Sequence, residues 1–258
     1  MLAPDLRKLP SWATALALFF VVFAANVAMG HAVGVLGIGA DWLLVATPLV
    51  LLAFTAAFVA WFRLDAKGTL LLRLPTWPDF LMAVPFAISF VILSDQLSSL
   101  TSDLVPAELS EKLREVQLRW LRVSSPLEWV VKLATIGVGA AVSEELMFRG
   151  FIQSALSRSL RPASAVLWTS FLFMALHILP LPSFVAAGLV LGLAALASRS
   201  IAVPILIHFL NNASALALVN LLGVETLGDP VWIPGEILLP ATAIFVLCLV
   251  YYLRRLDA

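Results

Sequence analysis

The chain has 258 residues, of which 62% are hydrophobic and only 12% charged, with a formal net charge of zero and a mean hydropathy of +1.02. A soluble domain carries about 25% charged residues, so this composition excludes a water-soluble globule and indicates a polytopic protein whose first partner is the lipid bilayer. Sixteen basic residues against sixteen acidic ones leave no electrostatic footprint for nucleic acid, and the single cysteine, Cys248, excludes an intramolecular disulfide or a cysteine-cluster metal site.

A spanning helix needs about 20 mostly apolar residues. By that measure eight spans are expected, over 12–36, 42–62, 78–99, 127–157, 163–180, 183–199, 201–222 and 235–253. Arg7 and Lys8 precede the first, as in a signal peptide, but apolar character continues to about Gly37 with no small-x-small cleavage site, so a retained helix is expected. The fifth to seventh spans are separated by little more than Pro180-Leu181-Pro182 and Arg199-Ser200, which implies tight helical hairpins. Between the third and fourth spans, Leu109, Leu113, Val116 and Trp120 recur at helical spacing. Pro106 suits a first turn, and Glu108/Lys112 and Glu115/Arg119 are i,i+4 pairs. Residues 106–122 therefore read as an amphipathic helix on the membrane surface, with a packed extramembrane linker as the alternative.

The basic residues sort to one side of this arrangement, namely Arg7 and Lys8, then Arg63, Lys67 and Arg73, then Arg158 and Arg161, then Arg199, then Arg254 and Arg255, with one exception: the connection 100–126, where Lys112, Arg114, Arg119 and Arg122 are balanced by Asp103, Glu108, Glu111 and Glu115. Cytoplasmic loops collect Lys and Arg, so both termini are expected in the cytoplasm, and the short loops fit a prokaryotic plasma membrane. Six of the eight tryptophans (Trp12, Trp42, Trp61, Trp77, Trp129 and Trp232) fall at or near span ends, where an amphipathic ring suits the headgroup region. No hydrophilic block is long enough for a second domain. Residues 1–258 read as one all-α membrane-embedded domain with a motif-bearing core at 127–222.

Within the fourth span the stretch SEELMFRG, residues 143–150, holds three ionisable groups, and each charge near mid-bilayer costs about 2.5–3.5 kcal/mol even on the lenient insertion scale. Glu145 and Arg149 are four apart and form an acid-first ion pair on a helix. Glu144, about 100° around, has Phe148 at its i+4 position and so no partner from its own segment. In an antiparallel pair of spans, Glu144 and His177 both lie about 20 Å from the intervening turn, and Asn212 about 18 Å from the start of its span, with His208 one turn before it. Three helices thus carry polar groups at a common depth. Asn211, off the His208/Asn212 face, is assigned to helix packing, as is His31 near a span end. Asp95, Gln96 and a snorkelling Lys132 are assigned no chemistry.

A carboxylate, two imidazoles and a carboxamide in a water-poor cavity suit hydrolysis of a carbonyl compound. Glu144 would act as general base, His177 would orient the same water, and His208 with Asn212 would donate to the developing oxyanion. The ordered set Glu144-Glu145-x-x-x-Arg149, Phe173-x-x-x-His177 and His208-x-x-x-Asn212 resembles the CAAX protease and bacteriocin-processing family of intramembrane proteases, also called the Abi family. The resemblance covers about 127–222. It implies that Glu144 and His177 activate water, that His208 and Asn212 form the oxyanion site, and that Glu145 with Arg149 supports them. It further implies a membrane-associated protein substrate or a prenylated peptide, and no cofactor.

Other readings stay open at this point. Glu144, His177 and His208 also make a two-histidine, one-carboxylate zinc set, although the chain lacks the His-Glu-x-x-His helix of common zinc proteases. Ser143 diverges from Glu144 by about 100° and is a poor nucleophile for it. A proton-coupled transporter would also place Glu and His at mid-membrane, and a non-catalytic partner or immunity-type protein would keep the motifs without using them. The sequence leaves the substrate, its access route and the oligomeric state open.

Overall fold

A computed structural model describes residues 9–104, 106–177, 182–221 and 232–256. Among the described residues there is no strand. The helices are α1 (Trp12–Leu36), α2 (Leu43–Trp61), the short α3 (Ala66–Thr69), α4 (Trp77–Leu100), α5 (Ala107–Leu121), a continuous α6 over 126–156, α7 (Pro162–Leu176), α8 (Pro182–Ser198), α9 (Ala202–Leu221) and α10 (Gly235–Leu256). The expected all-α membrane bundle is what forms. Local chemistry sets several boundaries. Ser11 accepts a hydrogen bond from Thr14 N at the start of α1, Thr76 does the same for Asp79 N in α4, and Ser125 for Glu128 N in α6. Gly37 ends α1 with φ 65°, a left-handed cap that glycine adopts without a Cβ penalty.

Five segments, Trp12–Leu36, Ala40–Trp61, Trp77–Leu100, Ala202–Leu221 and Gly235–Leu256, are each long and apolar enough to cross a bilayer. The composite α6 runs without a break over 126–156. By contrast α7 and α8 have 15 and 17 residues, about 22 and 26 Å against a hydrocarbon core of about 30 Å. The expected fifth span therefore closes early: α7 ends at Leu176 and His177 is its C-cap. The rest of that expected span, 178–180, lies outside the described residues, as do Arg7, Lys8 and most of the 223–234 link.

Two apolar clusters hold the bundle. One joins α1, α2, α6 and α7 through Leu18, Leu51, Phe148, Phe151 and Phe173. The other joins α4, α8, α9 and α10 through Phe86, Phe90, Leu191, Ile207 and Tyr252. Lipid tails are as apolar as leucine, so close packing and polar contacts drive association here more than burial does. The α7–α8 approach shows this. A Cβ at Gly188 would lie 2.6 Å from Ser170 Cβ, and one at Gly192 would lie 2.9 Å from Val166 Cγ1. This Gly-x-x-x-Gly face brings the α8 backbone against α7, and its carbonyls against α6.

At the end of the bundle bearing Arg255, Asp79 clamps α4 to α10. Its buried carboxylate accepts from Thr76 Oγ1 at 2.6 Å, Tyr251 OH at 2.8 Å and Arg255 Nε at 3.1 Å, while Tyr252 OH donates to its carbonyl. At the opposite end α5 forms as expected over most of 106–122 and is tied down. Asn220 on α9 donates to Leu121 O and accepts from Val123 N, both at 2.8 Å, and Lys132 donates to Arg119 O and Arg122 O while pairing with Glu128. Five of the tryptophans placed at span ends, Trp12, Trp42, Trp61, Trp77 and Trp232, are more than half exposed.

Candidate active site

The two glutamates sit on a six-residue α-helical stretch of α6, Ala140–Glu145, between two π-helical stretches, Leu133–Gly139 and Leu146–Ile152. Single-turn π segments recur at functional sites because i→i+5 bonding re-aims side chains and loosens the backbone ladder. Ile136 O, in the first π stretch, accepts a hydrogen bond from Asn212 Nδ2 at 2.9 Å, which ties α9 to α6 at the site.

Glu145 and Arg149 are fully buried and joined by an NH1–Oε1 hydrogen bond of 2.8 Å. The pair is not self-contained. Glu145 Oε1 also receives His208 Nδ1 at 2.8 Å, and Arg149 reaches Gly188 O at 3.4 Å while its guanidinium lies 4.4 Å from the Phe173 ring centroid, a cation–π geometry. The residue that sequence reasoning paired only within its own helix is the hub linking α6, α8 and α9.

Glu144 lies beside this hub. Its Oε2 is buried and has no hydrogen-bond partner among the described residues, yet it is 3.8 Å from His177 Nε2 and 3.9 Å from His208 Nε2. Three helices therefore bring Glu144, His177 and His208 together. His177 is positioned by its place at the end of α7: its Nδ1 lies 2.8 Å from Phe173 O, and its ring stacks on Phe184 of α8 with centroids 4.4 Å apart.

These contacts fix which nitrogen each imidazole presents. A backbone carbonyl only accepts, so His177 Nδ1 carries the proton and a neutral His177 offers the Nε2 lone pair toward Glu144. An ionised Glu145 also only accepts, so His208 Nδ1 donates to it; His208 Nε2 then donates as well only when the ring is the imidazolium.

A cavity of about 70 Å³ opens beside these groups, with His177, His208, Asn211, Asn212, Phe173 and Phe184 in its wall. That is room for water but not for a large ligand. Asn211, which the helical wheel turned away from the site, lines this cavity, and its Nδ2 donates to Asn212 Oδ1 at 3.4 Å. A cavity wider than one helix face takes in two adjacent residues, which a one-face wheel cannot anticipate. Ser143 Oγ donates to Ala140 O at 3.2 Å, and His31 is exposed on α1. Phe184, Gly188 and Ile136, which hold the site through a ring face or a carbonyl, carry no signal in sequence. Among the described residues no group of three or more His, Cys, Asp or Glu side chains is arranged to hold a metal ion.

Residues 126–214 match the family model described as Rce1-like, type II CAAX prenyl endopeptidase Rce1-like. The matched stretch runs from the start of α6 through Asn212, so it contains all the residues gathered here, and it bears out the resemblance read from the three motifs. No curated protein and no solved structure matches the chain.

Proposed function

We propose that this chain, whose residues 126–214 match the Rce1-like family model, is a CAAX-type membrane protease that cleaves a prenylated, CAAX-type peptide in the bilayer with a water activated between Glu144 and His177. The observation that carries this reading is the buried, unpartnered Glu144 Oε2 facing two imidazole Nε2 atoms at 3.8 and 3.9 Å.

A water hydrogen-bonded at about 2.8 Å to Glu144 Oε2 and His177 Nε2 subtends about 86° between them, close to the angle its two O–H bonds can serve. It donates one proton to each acceptor, which aims its lone pair into the cavity. Attack on the scissile carbonyl transfers a proton to Glu144, and Glu144 returns it to the departing amine as the tetrahedral intermediate collapses. His208 and the second amide hydrogen of Asn212 face the developing oxyanion. The imidazolium form of His208 balances the cluster: Glu144 and Glu145 supply two negative charges, and Arg149 and His208 two positive ones, which suits a site inside lipid.

The same separations bear on metal. A zinc ion about 2.0–2.1 Å from both atoms would need an angle of about 140°, well beyond tetrahedral. Proteolysis is accordingly expected to survive a strong chelator, and activity lost to chelation and restored by zinc would replace the water-only scheme.

The deciding experiment incubates the purified wild type and Glu144→Gln in detergent with a farnesylated CAAX peptide and with unprenylated transmembrane peptides. Cleavage by wild type alone, of the farnesylated peptide, is expected. Equal behaviour of the two proteins sinks the mechanism, and cleavage of the unprenylated peptides alone sinks the substrate.

A further inference from the structure

A second cavity shares no lining residue with the one beside His177 and His208. It has a volume of about 510 Å³ and opens at the end of the bundle that carries Arg158 and Arg199. Arg149 and Gln153 of α6 lie in its wall, with the apolar side chains of Leu71 and Leu196. Among the described residues no acidic side chain lines it. Asp65 is near, but its carboxylate accepts from Lys67 N and Gly68 N as the cap of α3.

Two deep groups in this wall have unmet hydrogen-bonding capacity. Arg149 is fully buried and its Nε has no partner among the described residues, and Gln153, 3% exposed, has an unpartnered Oε1 while its Nε2 donates to Gly192 O at 3.0 Å. The mouth is cationic and largely uncommitted. Arg158 uses NH1 to hold Leu9 O and Pro10 O, and the Arg199 guanidinium makes no hydrogen bond or ion pair with the described residues.

We propose that this crevice binds a phosphate group, supplied by an acidic lipid whose phosphodiester sits between Arg158 and Arg199 and whose acyl chain runs along Leu71 and Leu196. Guanidinium forks match phosphate oxygens in pairs, and the mouth lies at the end of the spanning helices, where headgroups are. The apolar strip of Leu71, Ala195 and Leu196 beside a doubly cationic mouth suits an amphiphile better than a free ion. The site is independent of the proteolytic reading, since none of its mouth residues faces the catalytic cavity.

The test measures thermal unfolding of the full chain in phosphatidylcholine nanodiscs with and without phosphatidylglycerol, and separately in detergent with inorganic phosphate. Phosphatidylglycerol is expected to raise the midpoint by about 3 °C or more. Arg158→Gln/Arg199→Gln is expected to lose that rise. Arg199→Gln alone, which leaves the Leu9 and Pro10 contacts intact, is expected to lose most of it while keeping the wild-type midpoint in pure phosphatidylcholine. A rise with the lipid but not with phosphate assigns the lipid as the source. A rise with both, each removed by the variants, assigns a site that also takes the free anion. No rise with either, or a rise that the double variant keeps, overturns the proposal.

Discussion

Replacing Glu144 and Glu145 in turn by glutamine separates catalysis from support, because the two adjacent carboxylates have opposite structural commitments. Glu144 Oε2 makes no hydrogen bond with the described residues, so the nearly isosteric Glu144→Gln removes no bond from the folded state. Its stability change is expected to stay well below that of Glu145→Gln, since the charge it removes approaches its imidazole neighbours no closer than 3.8 Å. The base is gone, however, and positioned general bases contribute about 10²–10⁴-fold, or about 3–5 kcal/mol of barrier. Glu145→Gln acts the other way round. Glu145 Oε1 holds both Arg149 NH1 and His208 Nδ1 at 2.8 Å in a fully buried site. Losing its charge leaves a buried guanidinium without its counterion, at a cost of about 3–5 kcal/mol. At about 2–4 °C per kcal/mol that lowers the unfolding midpoint by about 10 °C. The assay pairs initial rates on a farnesylated CAAX peptide with thermal unfolding of the same preparations. Glu144→Gln retaining more than about a tenth of the wild-type rate would refute its role as base. Glu145→Gln unfolding at the wild-type temperature would refute the hub.

Gly188→Ala places a Cβ 2.6–2.8 Å from Ser170 Cβ, Cα and Oγ, so α8 must move, at about 1–3 kcal/mol of overpacking. Because Gly188 O accepts from Arg149, activity is expected to fall with stability, and a variant with wild-type melting and kinetics contradicts the close α7–α8 approach. Asp79→Asn weakens the clamp to Tyr251 and Arg255 and is expected to cost about 1–3 kcal/mol in thermal or denaturant unfolding. Its KM, measured well below the transition, should be unchanged, since the clamp joins α4 to α10 outside the catalytic cavity.

The helical class of the fold and the gathering of Glu144, His177 and His208 were legible in sequence, for a plain physical reason. Charges and imidazoles are costly in lipid, so a short inventory of intramembrane polar residues, combined with 1.5 Å per residue, fixes both which groups matter and their depth. What stayed illegible depends on backbone and aromatic partners. Nothing in the sequence marks Ile136 O or Gly188 O as acceptors, or Phe184 as the ring under His177. The end of the fifth span was set too late, where apolar length and helix length part company: hydropathy runs on through 163–180, but α7 stops at Leu176. Asp79 was missed because it sits in the first turn of α4, where a carboxylate looks like an ordinary helix start rather than the acceptor for residues 172 and 176 positions away.

The early end of α7 and the π stretches of α6 bear on one another. A histidine in mid-helix points sideways from its axis and has its Cβ direction set by the helix. As a C-cap, His177 is held instead by Phe173 O on one edge and Phe184 on one face, so its Nε2 is aimed by contacts rather than by helical phase. On the facing helix, π turns on both sides of Ala140–Glu145 break the 3.6-residue phase, so the α-helical stretch carrying Glu144 and Glu145 is set apart from the lipid-facing pattern on either side. Both devices free Glu144, Glu145 and His177 from the periodicity that suits a spanning helix. The cost is loosened backbone hydrogen bonding within the membrane, and the Asn212 contact to Ile136 O, in the first π stretch, offsets part of it.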